Sequence, residues 1–196
     1  MKKSIFVLTA VAAAVSAALP VARAADDGLA EVIVTATKRE QTLQDVPVAV
    51  TVTTADTLQK AEIHDILDLQ SVVPSLRVSQ LQTSTQTNFI IRGFGNGANN
   101  PGIESSVGVF IDGVYRSRSA SQIGDLVNVQ RVEVLRGPQS TLFGQNASAG
   151  VISVTTKKPS FTPTGSVEVG AGDYSWKSVK GYYSGPLSER SAFSLS

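Results

Sequence analysis

The sequence predicts an α+β chain: a small mixed sheet with short helices, followed by the first antiparallel strands of a truncated transmembrane β-barrel. Three observations predict it. Short β-branched runs recur between Gly- and Asn-rich turns, and two brief segments show helical apolar spacing. After Pro159 the pattern changes to alternating segments of about ten residues with aromatics near the turns, which match a pair of membrane-spanning strands, the alternative being a plain surface hairpin.

Composition supports this reading. Charged residues make up 17% of the 196 residues, below the ~25% of ordinary soluble domains. The absence of cysteine excludes a disulfide framework and cysteine-ligated zinc or iron-sulfur sites. At the N-terminus Lys2 and Lys3 precede an uncharged run from Ser4 to Leu19, then Ala22, Arg23 and Ala24. This run is shorter than the ~20 apolar residues of a spanning helix and reads as a secretory signal peptide over 1–24. Removing Lys2, Lys3 and Arg23 leaves 14 basic against 16 acidic residues, a net charge of −2, so no basic field attracts nucleic acid.

Taken in order, residues 25–30 (ADDGLA) suit a mobile new N-terminus. Residues 31–39 (EVIVTATKR) are β-branched and isolated, readable either as a first strand or as an exposed strand free to pair with a partner. Residues 46–53 alternate as a strand, and Thr54 with Asp56 opens a helix through Ala61. Ile66, Leu67, Leu69 and Val73 predict a second helix over Asp65–Val73, ended by Pro74. Residues 79–88 lack an apolar period and read as loop. Strands are predicted at 89–92, 107–111, 129–135 and 151–156, with a one-turn helix at 138–143 closed by Gly144. Asp112 and Gly113 predict a hairpin turn leading to Val114 and Tyr115. Residues 165–171 and 177–183 form the alternating pair, with a turn at Gly185 and Pro186. A barrel needs at least about eight strands, so the chain is expected to be the N-terminal part of a longer polypeptide.

Residues for catalysis are scarce. His64 is the only histidine and has no second His or Cys with which to share a metal. No G-x-S-x-G elbow occurs, Gly93, Gly95 and Gly97 do not make a dinucleotide fingerprint, and the run Gly137–Gly144 lacks the lysine of a phosphate loop. Asn146, Ala147 and Ser148 spell a glycosylation sequon, read as chance. The chain is expected not to be an enzyme and to carry neither cofactor nor metal.

Three segments carry a family resemblance: IIRGFG at 90–95, VFIDGVY at 109–115, and RVEVLRGPQSTLFGQNASAGVISVTTKKP at 131–159. In this order they closely resemble the plug domain of TonB-dependent outer-membrane receptors, and EVIVTATKR ahead of them resembles the TonB box. The resemblance implies a signal peptide at 1–24, a periplasmic segment at 25–45, a plug at 46–160 and the start of a barrel at 161–196. It implies TonB coupling through Glu31, Val32, Ile33, Val34, Thr35 and Ala36. Arg92 and Arg136, with Glu133 in the same network, are implied to join the plug to the barrel wall, the alternative being two exposed strand-end arginines. Loops at about 81–88, 94–106 and 115–122 are then the outer tips, with Asn96, Asn99, Asn100, Arg116 and Arg118 as candidate ligand contacts. Implied partners are TonB, energised by ExbB–ExbD, outer-membrane lipid around a monomeric barrel, and a scarce ligand such as a ferric siderophore. A soluble periplasmic binding or assembly module, a periplasmic hydrolase with a further domain, and a nonfunctional truncated receptor remain as alternatives.

Overall fold

The computed structural model describes residues 32–35, 37–83, 86–95, 103–124 and 126–196. All of them belong to one compact unit, Val32–Ser196. The predicted signal peptide and residues 25–31 lie outside the described residues.

A five-stranded mixed sheet organises the unit. Its strands are β3 (Ala49–Thr54), β6 (Val107–Ile111), β7 (Val114–Tyr115), β8 (Val129–Arg136) and β9 (Gly150–Thr156), in the order β3-β8-β9-β6-β7. Only the β6–β9 pair is parallel; the other neighbours are antiparallel. Central strands buried on both faces need apolar residues at successive positions, and β8 supplies Val132, Val134 and Leu135, all fully buried.

Alternation distributes these side chains between two cores. Val107, Val109, Val132, Val134, Ile152 and Val154 point to one face, against Leu58, Ile66, Leu69, Val73, Phe89 and Ile91. Phe110, Leu135 and Val151 point to the other, against Val34, Val46 and Ala147. Each fully buried aliphatic or aromatic side chain contributes about 1.5–3 kcal/mol. The two cores therefore hold the helices and the N-terminal leader, respectively, onto the sheet.

Helix α1 (Ala55–Lys60) follows β3, and the Thr54 hydroxyl accepts from the Thr57 N–H as its cap, at 3.4 Å. The predicted helix over Asp65–Val73 reduces to a single 3-10 turn, Asp68–Ser71. The cause is local. Asp65 Oδ1 accepts from the Asp68 N–H at 2.9 Å, and Asp68 Oδ2 accepts from the His64 N–H at 3.0 Å. Aspartate side chains that capture nearby N–H groups offer the backbone an alternative to helix. The apolar spacing still serves its purpose, since Ile66, Leu69 and Val73 are buried. The region read as loop at 79–88 is partly hairpin: β4 (Leu76–Gln80) pairs with β5 (Thr87–Ile91) in a two-stranded sheet. Cross-strand hydrogen bonding does not require the apolar period that 79–88 lacks.

Two tight turns close hairpins by the same device. Asp112 (φ 49°) and Gly113 (φ 79°) join β6 to β7, and Arg92 (φ 53°) and Gly93 (φ 83°) return β5 toward Phe94. Positive φ at both central residues is the type I′ geometry that fits the strand twist. The first turn was legible from its Asp-Gly pair; the second places an arginine where Asn or Asp is usual. The short helix α3 (Ser140–Phe143) ends at Gly144, whose φ is 89°; α2 (Ser119–Gln122) lies between β7 and β8.

At Gly150 the sheet and the β4–β5 hairpin lie close together. A Cβ there would stand 2.5 Å from Leu135 O and 2.6 Å from Ile91 Cδ1. Because one contact is backbone, Gly150→Ala is expected to destabilise the fold by about 1–3 kcal/mol. Denaturant unfolding checks this, and an unchanged midpoint counts against the close approach.

After Pro159 come β10 (Thr164–Ala171), β11 (Lys177–Ser188) and β12 (Ser191–Leu195), an antiparallel three-stranded sheet. The turn expected at Gly185 and Pro186 falls later, after Ser188. Pro186 is tolerated because the ladder to β10 ends at Ser184 and the pairing with β12 shifts register between Pro186 and Ser188.

Candidate functional site

The leader Val32–Thr35 lies across one face of the five-stranded sheet. Its strand β1 (Ile33–Val34) pairs antiparallel with β2 (Gln41–Thr42), and Leu43 N–H donates to Val32 O at 2.9 Å. Val34 is fully buried in the second core, whereas Ile33 is 50% exposed. The reading of 31–39 as a wholly free strand is thus corrected: its β-branched residues alternate, and one of them finds an apolar pocket. Of the first strand that was the other reading of 31–39, only Ile33–Val34 forms among the described residues, and it pairs in a two-stranded sheet apart from the five-stranded one. Glu31 and Ala36 lie outside the described residues.

Beyond Val34 the leader meets a buried charge. Glu133 is fully buried, on the same face of β8 as Arg131 and Leu135. Its Oε1 accepts from the Thr35 N–H at 2.9 Å, from the Thr35 hydroxyl at 3.1 Å and from Arg131 Nε at 2.7 Å. Arg131 also donates to the Thr35 hydroxyl at 3.3 Å. A buried charge persists only when paired and hydrogen-bonded, and here the leader supplies two of the donors. Glu133, expected among the groups that touch a barrel wall, instead faces inward beneath the leader. Arg131 and Thr35 as its partners escaped sequence reasoning. The only available signal was that Arg131 and Glu133 fall on one face of the predicted strand.

The two other arginines come together at one end of the sheet. Arg136 pairs across with Gly150, and Gly150 abuts Ile91, the neighbour of Arg92. Arg92 is exposed in its left-handed turn, a conformation that costs a non-glycine residue about 1–2 kcal/mol. Arg136 is half-buried, and its Nε is buried without a hydrogen-bond partner among the described residues.

Arg116 follows β7, and its N–H donates to Val109 O, at the middle of β6. Its carbonyl accepts from Gln122 Nε2 at 2.8 Å, and its Nε is buried without a partner among the described residues. Arg118 is exposed. Asn96, Asn99 and Asn100 lie outside the described residues. Nearby, Asn146 Nδ2 donates to the Tyr115 hydroxyl at 2.8 Å. Burial pushes the Tyr115 phenol above its usual value, that hydrogen bond opposes the shift, and the charge of Glu104 adds to it.

The three-stranded sheet has two chemically different faces. Val167, Val169 and Val179 share one face and are each about three-quarters exposed. Ser166, Glu168, Ser178, Lys180 and Ser184 occupy the other. That polar face meets the rest of the unit: Lys180 Nζ lies 2.9 Å from His64 Nδ1, and Ser184 Oγ accepts from the Ser160 N–H at 2.8 Å. His64 is therefore a contact residue of the hairpin. Among the described residues no group of three or more His, Cys, Asp or Glu side chains is arranged to hold a metal.

Comparison with known proteins agrees with this geometry. The family described as TonB-dependent Receptor Plug Domain matches residues 42–151. The chain is 33% identical over 144 residues to the pesticin receptor of Yersinia enterocolitica, covering 72% of this chain and 21% of the relative. It is 32% identical over 146 residues to a vitamin B12 transporter of Vibrio vulnificus, covering 72% and 23% respectively. The crystal structure of the ferripyoverdine receptor of the outer membrane of Pseudomonas aeruginosa, bound to ferripyoverdine, superposes with a TM-score of 0.68 at 27% identity. That match covers 81% of this chain and 20% of the other, so the chain spans about a fifth of the length of such relatives. The mixed sheet with short helices, the antiparallel strands that follow it and the matched residues identify the chain as a member of the TonB-dependent receptor family, carrying its plug domain.

Proposed function

We propose that this chain is the N-terminal part of an outer-membrane transporter of a Gram-negative bacterium that takes up a scarce ligand, such as a ferric siderophore, with energy delivered through TonB. The observation that carries the reading is the two-faced sheet after Pro159. Its apolar face is exposed and its polar face is turned toward the preceding domain, the alternation of a barrel strand between lipid and lumen. The proposed division is a signal peptide at 1–24, a periplasmic segment at 25–45, a plug at 46–160 and the beginning of a monomeric barrel at 161–196.

In this reading Arg92 and Arg136 anchor the plug to acidic residues of the barrel wall. Strain at Arg92 and an unpartnered, buried Arg136 Nε support a guanidinium held ready for a carboxylate. Arg116, Arg118 and the asparagines at 96, 99 and 100 contribute to an outer ligand surface. The ferripyoverdine-bound relative supports the siderophore class, and the vitamin B12 transporter is the reason to test a second ligand.

The test is uptake of iron-55 ferric siderophores and of labelled cobalamin by cells carrying the receptor, with and without a protonophore. One ligand is expected to bind in both conditions and to accumulate only without protonophore. Accumulation that persists with the proton gradient collapsed, or binding of neither ligand class, counts against the proposal.

A further inference from the structure

We infer that Glu133 is a lock on the coupling segment, occupying the backbone donor that an added strand would need. The inference rests on the reading of residues 31–39 as a strand-pairing handle.

The two edges of β1 differ, since one is paired with β2. Val32 O faces β2, where it accepts from Leu43 N–H. Backbone groups alternate along an extended chain, so the N–H groups of Ile33 and Thr35 point to the opposite edge. No strand pairs with that edge among the described residues. An incoming strand therefore has one place to add, and main-chain donors there set its affinity. The Thr35 N–H is not available to it, because Glu133 Oε1 already accepts from it at 2.9 Å.

The remaining contacts make this arrangement more than a passing hydrogen bond. The same oxygen takes the Thr35 hydroxyl at 3.1 Å, and Arg131 bridges both partners at 2.7 and 3.3 Å. Val34 sits fully buried beside them, so the apolar anchor and the polar clamp open together. Withdrawal of the leader removes two donors from a carboxylate whose Oε2 has no partner among the described residues. The charge is then satisfied by water only if its covering segment has left. Docked and undocked leaders are thus two discrete states, and Glu133 biases the docked one.

The test uses the receptor in outer-membrane fractions, with Val34→Cys as reporter and alkylation at that position read by peptide mass mapping. In this background Glu133→Gln is expected to accelerate alkylation by at least about tenfold, the weight of a charge-assisted hydrogen bond. Thr35→Val, which keeps the backbone N–H and lies outside the core strands, is expected to change the rate in the same direction by a smaller factor. Ligand-free capture of the periplasmic domain of TonB should rise in parallel. Alkylation rates equal to the parent in both Glu133→Gln and Thr35→Val overturn the lock, and Thr35→Val alone decides it if Glu133→Gln does not fold. Faster alkylation with no gain in capture supports the lock and counts against the coupling reading, which separates the two.

Discussion

Ile33→Pro is expected to reduce ligand uptake to the level of cells lacking the receptor, while ligand affinity stays that of the parent. Proline removes one ladder donor and fixes φ near that of extended chain. At Ile33 the lost N–H belongs to the edge of β1 that faces away from β2, and the side chain is half exposed. The substitution should therefore leave the β1–β2 pairing, the Val34 anchor and the ligand surface in place. Val34→Pro is the less informative variant, because it also removes a fully buried side chain from the second core. Uptake and equilibrium binding measured on the same cells distinguish the outcomes. Loss of both together, in correctly inserted protein, would refute the assignment of 31–39 to coupling, and so would undiminished uptake.

The second large effect is expected at Val169→Arg. Val169 is 74% exposed and stands between exposed valines of the same face. If that face meets hydrocarbon, an arginine there costs about 2–4 kcal/mol near the bilayer midplane, falling toward the interfaces. The variant should show a reduced yield of folded receptor in the outer membrane and a lowered urea midpoint after refolding into lipid vesicles. Ser166→Arg, on the opposite face of the same strand, is the control and should cost far less, because a lumen-facing charge remains hydrated. Equal tolerance of both variants would mean that the sheet after Pro159 is an ordinary surface hairpin.

Several elements were legible in the sequence because their causes are local. Strand β6 appears where it is predicted, at Val107–Ile111, and β8 and β9 differ from expectation by a single residue at one end. Each of their β-branched runs has a glycine at or near one end, at Gly113, Gly137 and Gly150, which narrows the choice of boundary. The Asp112-Gly113 turn and the Thr54 cap follow from side chains whose preferences act within a few residues. Expectation failed where short-range competition was subtle, as between Asp65 and Asp68, or where pairing carried a strand through polar residues, as in β4 and β5. The β11 turn was placed too early because Pro186 reads as a breaker when taken alone. In the fold it sits where the ladder has lost one neighbour.

The candidate site divides in the same way. The leader, the arginines that precede Gly93 and Gly137, and the two chemical faces of the last strands could all be read from residue type and alternation. What the sequence by itself determined was the strands β6, β8 and β9, the Asp112-Gly113 turn and the family, since propensity, turn chemistry and ordered motifs are properties of contiguous residues. Only the tertiary structure decided that Thr35 meets Glu133, that Val34 is buried beside Leu135, and that Arg92 and Arg136 share one end of the sheet. Those contacts join residues far apart along the chain, and the choice among possible partners is made by strand order and register.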